Sequence, residues 1–229
     1  MNKTNFFSNL SKYKKRTAII DADLNKKSFE ELIEDSNKFN KYIFKKKVVL
    51  IFCGNNYETI VSYIGLIKNK SVPFLVDENI NKDKLNEILK KYKIKYIFLN
   101  KKKDYGFNNL KQDFEFLNYQ MFKINNYSKY KIFKNLTLLL STSGSTGSPK
   151  CVRLSDENLI NNTKSIINSL KIKKKDRVIT TLNPSYSYGL SIINSHLLSG
   201  ACVVLNKFTF FDNQFWSLLN RSLANTFGG

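Results

Sequence analysis

Hydrophobic positions along this chain switch repeatedly between two periods. Val48–Cys53 is an unbroken apolar run bounded by Lys45-Lys46-Lys47 and by Gly54-Asn55-Asn56. Its length and β-branched content predict a buried strand. Tyr57–Ile67 then has a helical pattern, Val72–Val76 is a second apolar run ending near Asp77, and Leu85, Ile88, Leu89 and Tyr92 mark another helix. Tyr96–Leu99 closes the series as a strand. Strand, helix, strand, helix, strand is two linked βαβ units, which predicts a largely parallel sheet covered by helices. Upstream, Thr17–Asp21 reads as a strand, and a helix from Phe29 carries Leu32, Ile33, Phe39, Ile43 and Phe44.

Residues 100–135 are polar, aromatic and lysine-rich, with one short strand expected near Phe114–Leu117. Leu138–Leu140 and Cys151–Leu154 are the next strands. Ser155 is placed to cap a helix carrying Leu159, Ile160, Ile166, Ile167 and Leu170. Strands at Arg177–Thr181 and Ala201–Leu205 flank a helix at Leu190–Leu198, and Asp212–Asn220 is the last helix. The expectation is an α/β fold of largely parallel sheets flanked by helices. It divides into a first α/β segment over 17–135 and a second, loop-bearing segment over 136–229.

Charge adds a misleading signal. Lys+Arg 38 against Asp+Glu 18 gives a formal net charge of +20, which suits a nucleic-acid-binding module. The lysines are spread along the chain, however, and the triplets at 45–47 and 173–175 fall between a helix and the next strand. There a cation complements the helix C-terminal dipole. The wealth of Lys, Asn, Ile, Phe and Tyr also matches codon drift in an AT-rich genome, so nucleic acid is the lesser reading. No apolar run reaches the length of a membrane span, and residues 1–8 lack a secretory signal pattern. Cys53, Cys151 and Cys202 are odd in number and widely spaced, as reduced thiols of a cytoplasmic protein would be. His196 is the sole histidine and sits among Ile192, Ile193, Leu197 and Leu198, a helix-packing setting. A Ser-His-Asp triad would have to use it, and one histidine with three scattered cysteines builds no metal cluster.

The chemistry concentrates in Thr142-Ser143-Gly144-Ser145-Thr146-Gly147-Ser148-Pro149-Lys150. Gly144 and Gly147 permit positive φ and close approach of backbone to a ligand. Successive N–H groups of such a turn form an anion-binding concavity. Thr142, Ser143, Ser145 and Thr146 add hydroxyl donors, and Lys150 adds a charge. A flexible Ser/Gly linker has the same composition, but strands clamp this segment on both sides. An oligophosphate is the ligand that suits it. Gly147 is followed by Ser148-Pro149, so the loop is neither a Walker P-loop nor a dinucleotide fingerprint, and Pro149 directs it into a strand.

That nonapeptide resembles the signature loop of the adenylate-forming (AMP-binding) superfamily, of the acyl-CoA synthetase and peptide-synthetase adenylation-domain type. Lys27–Leu32, Gly65–Val76 and Asn183–Leu190 resemble further family segments, in the family's order. The resemblance runs from about Thr17 to Gly229 and implies part of the large N-terminal domain. It implies ATP and Mg²⁺ as cofactors, with the loop at 142–150 on the β- and γ-phosphates. It also implies a carboxylic acid substrate whose pocket is shaped by Tyr186, Tyr188 and Gly189. Spacing alone leaves those tyrosines equally suited to core packing. CoA or an acyl or peptidyl carrier protein is the implied thiol partner. The family's later motifs do not occur here: the Tyr-Gly-x-Thr-Glu segment, the ribose-binding Asp, the hinge and the adenylating lysine. The Mg²⁺ ligand is expected in that missing part. The chain therefore reads as an incomplete N-terminal AMP-binding domain of an acid–thiol ligase. It would work with a separately encoded C-terminal half, or else be an inactive remnant.

Overall fold

In the computed structural model the described residues are 6–42, 46–92, 94–107, 110–124, 131–141 and 150–228. The elements are β1 (Thr17–Ile20), β2 (Lys26–Ser28), α1 (Phe29–Asn37), β3 (Val48–Cys53), α2 (Tyr57–Lys68), β4 (Val72–Asp77), α3 (Lys82–Tyr92) and β5 (Tyr96–Asn100). They continue as β6 (Lys111–Phe116), β7 (Tyr119–Lys123), β8 (Leu138–Ser141), β9 (Cys151–Leu154), α4 (Asp156–Leu170), β10 (Arg177–Ile179), α5 (Ser187–Ser199), β11 (Cys202–Val204), α6 (Asn213–Arg221) and β12 (Thr226–Phe227).

Two sheets form. The seven-stranded sheet has the order β6-β7-β5-β3-β4-β8-β9 and the five-stranded sheet β12-β10-β11-β1-β2. Pairing is parallel through β5-β3-β4-β8 and through β12-β10-β11-β1, and antiparallel at the edges. The α/β fold with largely parallel sheets is therefore what the chain adopts. The sheets do not follow chain order. β1 and β2 lie with the last strands, whereas β8 and β9 complete the sheet begun by β3–β5.

The apolar runs are continuous because both faces of each central strand are buried. Val49, Ile51 and Cys53 face a central core shared with Leu32 of α1, Ile60 and Ile64 of α2, Ile193 of α5, and Ile19 and Val203 of the other sheet. Val48, Leu50 and Phe52 face the opposite way, onto Leu85 and Ile88 of α3. Ile20, Ile179 and Val204 likewise turn away from the centre onto Phe215 and Leu218 of α6. The result is two sheets sandwiching α1, α2 and α5, with α3 and α6 on the outer faces.

Three local outcomes differ from the periodicity. The first helix ends at Asn37 and tightens into a 3₁₀ turn over Lys38–Lys41. Ser36 and Phe39 press on Gly65 of α2, where a Cβ would sit 2.5 Å from the Ser36 carbonyl, so a continued straight helix is not the packing solution. Of its expected apolar positions, Ile43 and Phe44 lie outside the described residues. The single strand expected near Phe114–Leu117 is a β6–β7 hairpin closed between Phe116 and Tyr119, with Leu117 at φ 53°. Lys46, half-buried, donates to the Phe133 and Lys134 carbonyls at 3.0 and 2.9 Å instead of standing free in solvent. Among the described residues, no helix is long and apolar enough to cross a membrane.

Candidate functional site

Parallel pairing brings the ends of β3, β4 and β8 to one edge of their sheet. Loops beyond the carboxyl ends of parallel strands are where α/β folds place ligands. Antiparallel pairing of Ser141 with Cys151 and of Leu140 with Val152 closes the connection between β8 and β9 at that edge. Thr142, Ser143, Gly144, Ser145, Thr146 and Gly147 lie outside the described residues. Lys150 is exposed at the start of β9.

The loop after β10 reaches the same region from the other sheet. The Asn183 side-chain amide donates to the Cys53 carbonyl at the end of β3 at 2.7 Å. Its Oδ1 accepts from Ser185 N at 2.8 Å, and its carbonyl accepts from Tyr186 N at 3.1 Å. Asn183 thus ties the two sheets together and sets where α5 begins. Tyr186 occupies the N-cap position of α5 without a side-chain capping bond, and no acidic residue lies in the first turn.

Between α4 and α5, against the ends of β8 and β9, lies a cavity of about 630 Å³. Tyr186, Ser187, Leu190, Ser191 and Asn194 line it from α5 and its cap, and Asn158, Leu159, Asn161 and Asn162 from α4. Ser141 and Val152, flanking the loop, complete the wall with Leu140 and Leu154. The volume is in the range of small-molecule sites.

The expected pocket residues separate here. Tyr186 lines the cavity and is 52% exposed. Tyr188 is half-exposed on another face, its hydroxyl toward Gly228. Gly189 is buried in the first turn of α5, where a Cβ would meet the Asn183 carbonyl oxygen at 2.5 Å and that of Leu182 at 2.9 Å. Its hydrogen side chain lets the helix start against that backbone.

Sequence reading placed Asn183 in a family-like segment without singling it out, and gave Asn194 no part in the site. Asn194 interrupts an apolar helix, a signal available in the chain itself. It is 3% exposed, lines the cavity, and its Oδ1 has no hydrogen-bond partner. The Tyr63 hydroxyl beside it is also without a bond of normal geometry, and burial pushes its pKa up. His196 is buried one turn beyond Ile192, with Nδ1–H donating to the Ile192 carbonyl at 2.8 Å. Burial holds its pKa below the ordinary imidazole value. Cys53, Cys151 and Cys202 are free thiols, and burial pushes up the pKa of each. Among the described residues no three His, Cys, Asp or Glu side chains converge as a metal site.

Comparison with known proteins follows this geometry. The chain matches the AMP-binding enzyme family over residues 6–229. Apo MatB from Rhodopseudomonas palustris superposes with a TM-score of 0.77 at 17% identity, covering 98% of this chain and 48% of that one. O-succinylbenzoate Coenzyme A synthetase (MenE) from Bacillus subtilis, in complex with ATP and magnesium ion, gives 0.77 at 16% identity, covering 98% and 63%. The N-terminal subdomain of Klebsiella oxytoca NpsA gives 0.74 at 19% identity, covering 98% and 60%. In sequence, malformin synthetase mlfA of Aspergillus tubingensis is 36% identical over 70 residues, which is 31% of this chain and 1% of that protein. The chain thus spans from about half to under two-thirds of these structural neighbours. The likeness to the N-terminal part of adenylate-forming enzymes holds at the level of fold.

Proposed function

This chain belongs to the AMP-binding enzyme family, and from that premise we propose that it binds the phosphates of ATP and orients a carboxylic acid for adenylation. The observation that carries the reading is the junction of β8 and β9. Paired strands hold the ends of the 142–150 segment at the carboxyl edge of the sheet, and the flanking Ser141 and Val152 share a cavity with Tyr186.

In this reading the hydroxyls of Thr142, Ser143, Ser145 and Thr146, with the backbone at Gly144 and Gly147, donate to the β- and γ-phosphates. Lys150 contributes charge that grows in value as negative charge spreads in the transition state. A carboxylate oxygen of the acid attacks the α-phosphorus, the bond to the bridging oxygen breaks, and pyrophosphate leaves. The acid tail occupies the cleft between α4 and α5 with Tyr186 at its rim. Tyr188 and Gly189 act through the placement of α5. Mg²⁺ bound with the nucleotide would neutralise phosphate charge. The described residues offer it no ligand cluster, so no step is assigned through it.

Transfer of the acyl group to CoA or a carrier-protein thiol is proposed as the second half-reaction. It needs the remainder of the family fold, in this or a separate polypeptide. Phe211 is 97% exposed and Trp216, Leu223 and Phe227 are close to half-exposed or more, apolar surface that supports a further part of the fold packing there. The test is calorimetric titration of the protein with ATP and with AMP, alongside Lys150→Ala. The reading expects ATP to bind more tightly than AMP, and the substitution to weaken ATP by a factor on the order of 10 while sparing AMP. Equal affinity for both nucleotides, unmoved by the substitution, would remove it.

A further inference from the structure

We infer that Asn183 is a positioning residue for adenylation. Its side-chain amide seats the α5 wall of the cleft on the end of β3, and so holds the acid in register with the strands that carry the phosphate segment. This rests on the reading of the cleft as the acid site. Two observations carry it.

The first is how Asn183 divides its polar atoms. Its Oδ1 accepts from Ser185 N at 2.8 Å and its main-chain oxygen from Tyr186 N at 3.1 Å, which closes a turn at the entrance to α5. An Asn or Asp oxygen suits that turn, because it bonds the backbone amide two residues on, and Ser does the same more weakly. Pro184, next in the chain, has no N–H and biases Asn183 toward extended backbone. The local turn therefore needs only acceptors. An amide side chain also has N–H to donate, and Asn183 spends it 130 residues away, on the Cys53 carbonyl at 2.7 Å.

The second is what that carbonyl belongs to. It is the last of β3, and it also accepts from Glu78 N, just past the end of β4, at 3.0 Å. β4 pairs in parallel with β8 at Phe74↔Leu139 and Leu75↔Leu140, and β8 leads into 142–150. The start of α5 and the phosphate segment are thus anchored on neighbouring strands of one sheet, although α5 follows β10 of the other. Tyr186, three residues after Asn183, stands in the cavity wall with Ser141 at the end of β8. Adenylation needs the carboxylate presented to the α-phosphorus in line, and a misplacement of about 1 Å costs such a reaction heavily. Without the amide the turn still forms, but the bond that seats it on β3 is lost. The Cys53 carbonyl keeps Glu78 N, so no buried oxygen is left bare.

The experiment is calorimetric titration of the protein with a non-hydrolysable ATP analogue, and then of the analogue-bound protein with hexanoate and with benzoate. Asn183→Ser keeps an oxygen for the Ser185 amide, but its hydroxyl ends short of Cys53. Asn183→Ala removes both side-chain bonds. Each should weaken the acid that binds by a factor on the order of 10 and leave the ATP analogue within about twofold. Gly200→Ala, which crowds Tyr13 at the far end of α5, is the stability control and should leave acid affinity unchanged. Should Asn183→Ala not fold, Asn183→Ser decides. If Asn183→Ser binds acid like the wild type, the local turn suffices and the inference is overturned while the adenylation reading stands. An equal loss of acid affinity in Gly200→Ala overturns it too, because the effect is then one of stability and not of position. If the ATP analogue binds and neither acid does, the cleft is not the acid site and the inference falls with it. Failure of the nucleotide and both acids to bind removes the underlying reading as well.

Discussion

Substituting Gly189 by alanine isolates the contact that seats α5 beside the cavity. In an unconstrained helix the change stabilises by about 1 kcal/mol. Here the new methyl would lie 2.5 Å from the Asn183 carbonyl oxygen and 2.9 Å from that of Leu182, distances at which backbone must move. That backbone has little room to retreat. Asn183 is held by its side-chain bonds to the Cys53 carbonyl at 2.7 Å and from Ser185 N at 2.8 Å. Overpacking at such a site costs about 1–3 kcal/mol. Set against the helix gain, a net loss of up to about 2 kcal/mol is expected in place of a gain of about 1. At about 2–4 °C per kcal/mol for a chain of this size, the melting temperature should fall by up to about 8 °C. Scanning calorimetry of Gly189→Ala beside Lys164→Ala, an exposed position on α4 expected to change stability by less than about 0.5 kcal/mol, makes the comparison. A Gly189→Ala protein stabilised by the about 1 kcal/mol of an unconstrained helix would refute the claim that Asn183 fixes the start of α5.

Gly200 ends α5 at φ 75°, and a Cβ there would meet the Tyr13 ring at 2.6 Å. Gly200→Ala should therefore cost about 1–3 kcal/mol in a denaturant titration, and a neutral result would mean Tyr13 swings away freely. Burial holds the His196 pKa below its ordinary 6.5, so the unfolded chain takes up the proton first as pH falls. Its stabilising contribution is complete above pH 6.5, declines as pH drops toward the folded-state value, and levels below it. Urea midpoints should decline across that window in the parent and flatten in His196→Gln; parallel curves would refute this. Burial pushes the Cys202 thiol up to about 11 and raises Cys53 and Cys151 too, but Cys151 alone is partly exposed. Alkylation near neutral pH should reach Cys151 first, as mapped by mass spectrometry, and labelling of Cys202 at the same rate would contradict the burial argument.

Elements whose apolar pattern has one cause were legible before any coordinates. Val48–Cys53, Val72–Val76 and Tyr96–Leu99 are strands buried on both faces, and α2–α6 fall within a few residues of their expected spans. Hairpin β6–β7 was hidden because its turn places Leu117, not glycine or asparagine, at positive φ, a cost met by tertiary contacts such as Asn118 N and Nδ2 on Glu58 Oε1 at 3.3 and 3.1 Å. β2 and β12 are three and two residues long and carry no periodicity to read. At the site, the loop composition and Tyr186 were visible in the chain. The different placements of Tyr186, Tyr188 and Gly189 were not, because they depend on which face of α5 meets α4 and which meets the loop at 182–183.

Sequence alone determined the succession of strands and helices, the oligophosphate-suited loop between two strands, and the likeness to adenylate-forming proteins. These follow from local periodicity and from residue types acting over a few positions. Tertiary structure alone decided that β1 joins β11 and that β8 joins β4, so that chain-distant loops share one edge. It alone brought Asn194, an inconspicuous polar residue in an apolar helix, to the wall of a cavity with its oxygen unbonded. Strand order and cavity walls arise from long-range packing of faces, which the pattern along one chain specifies only as buried.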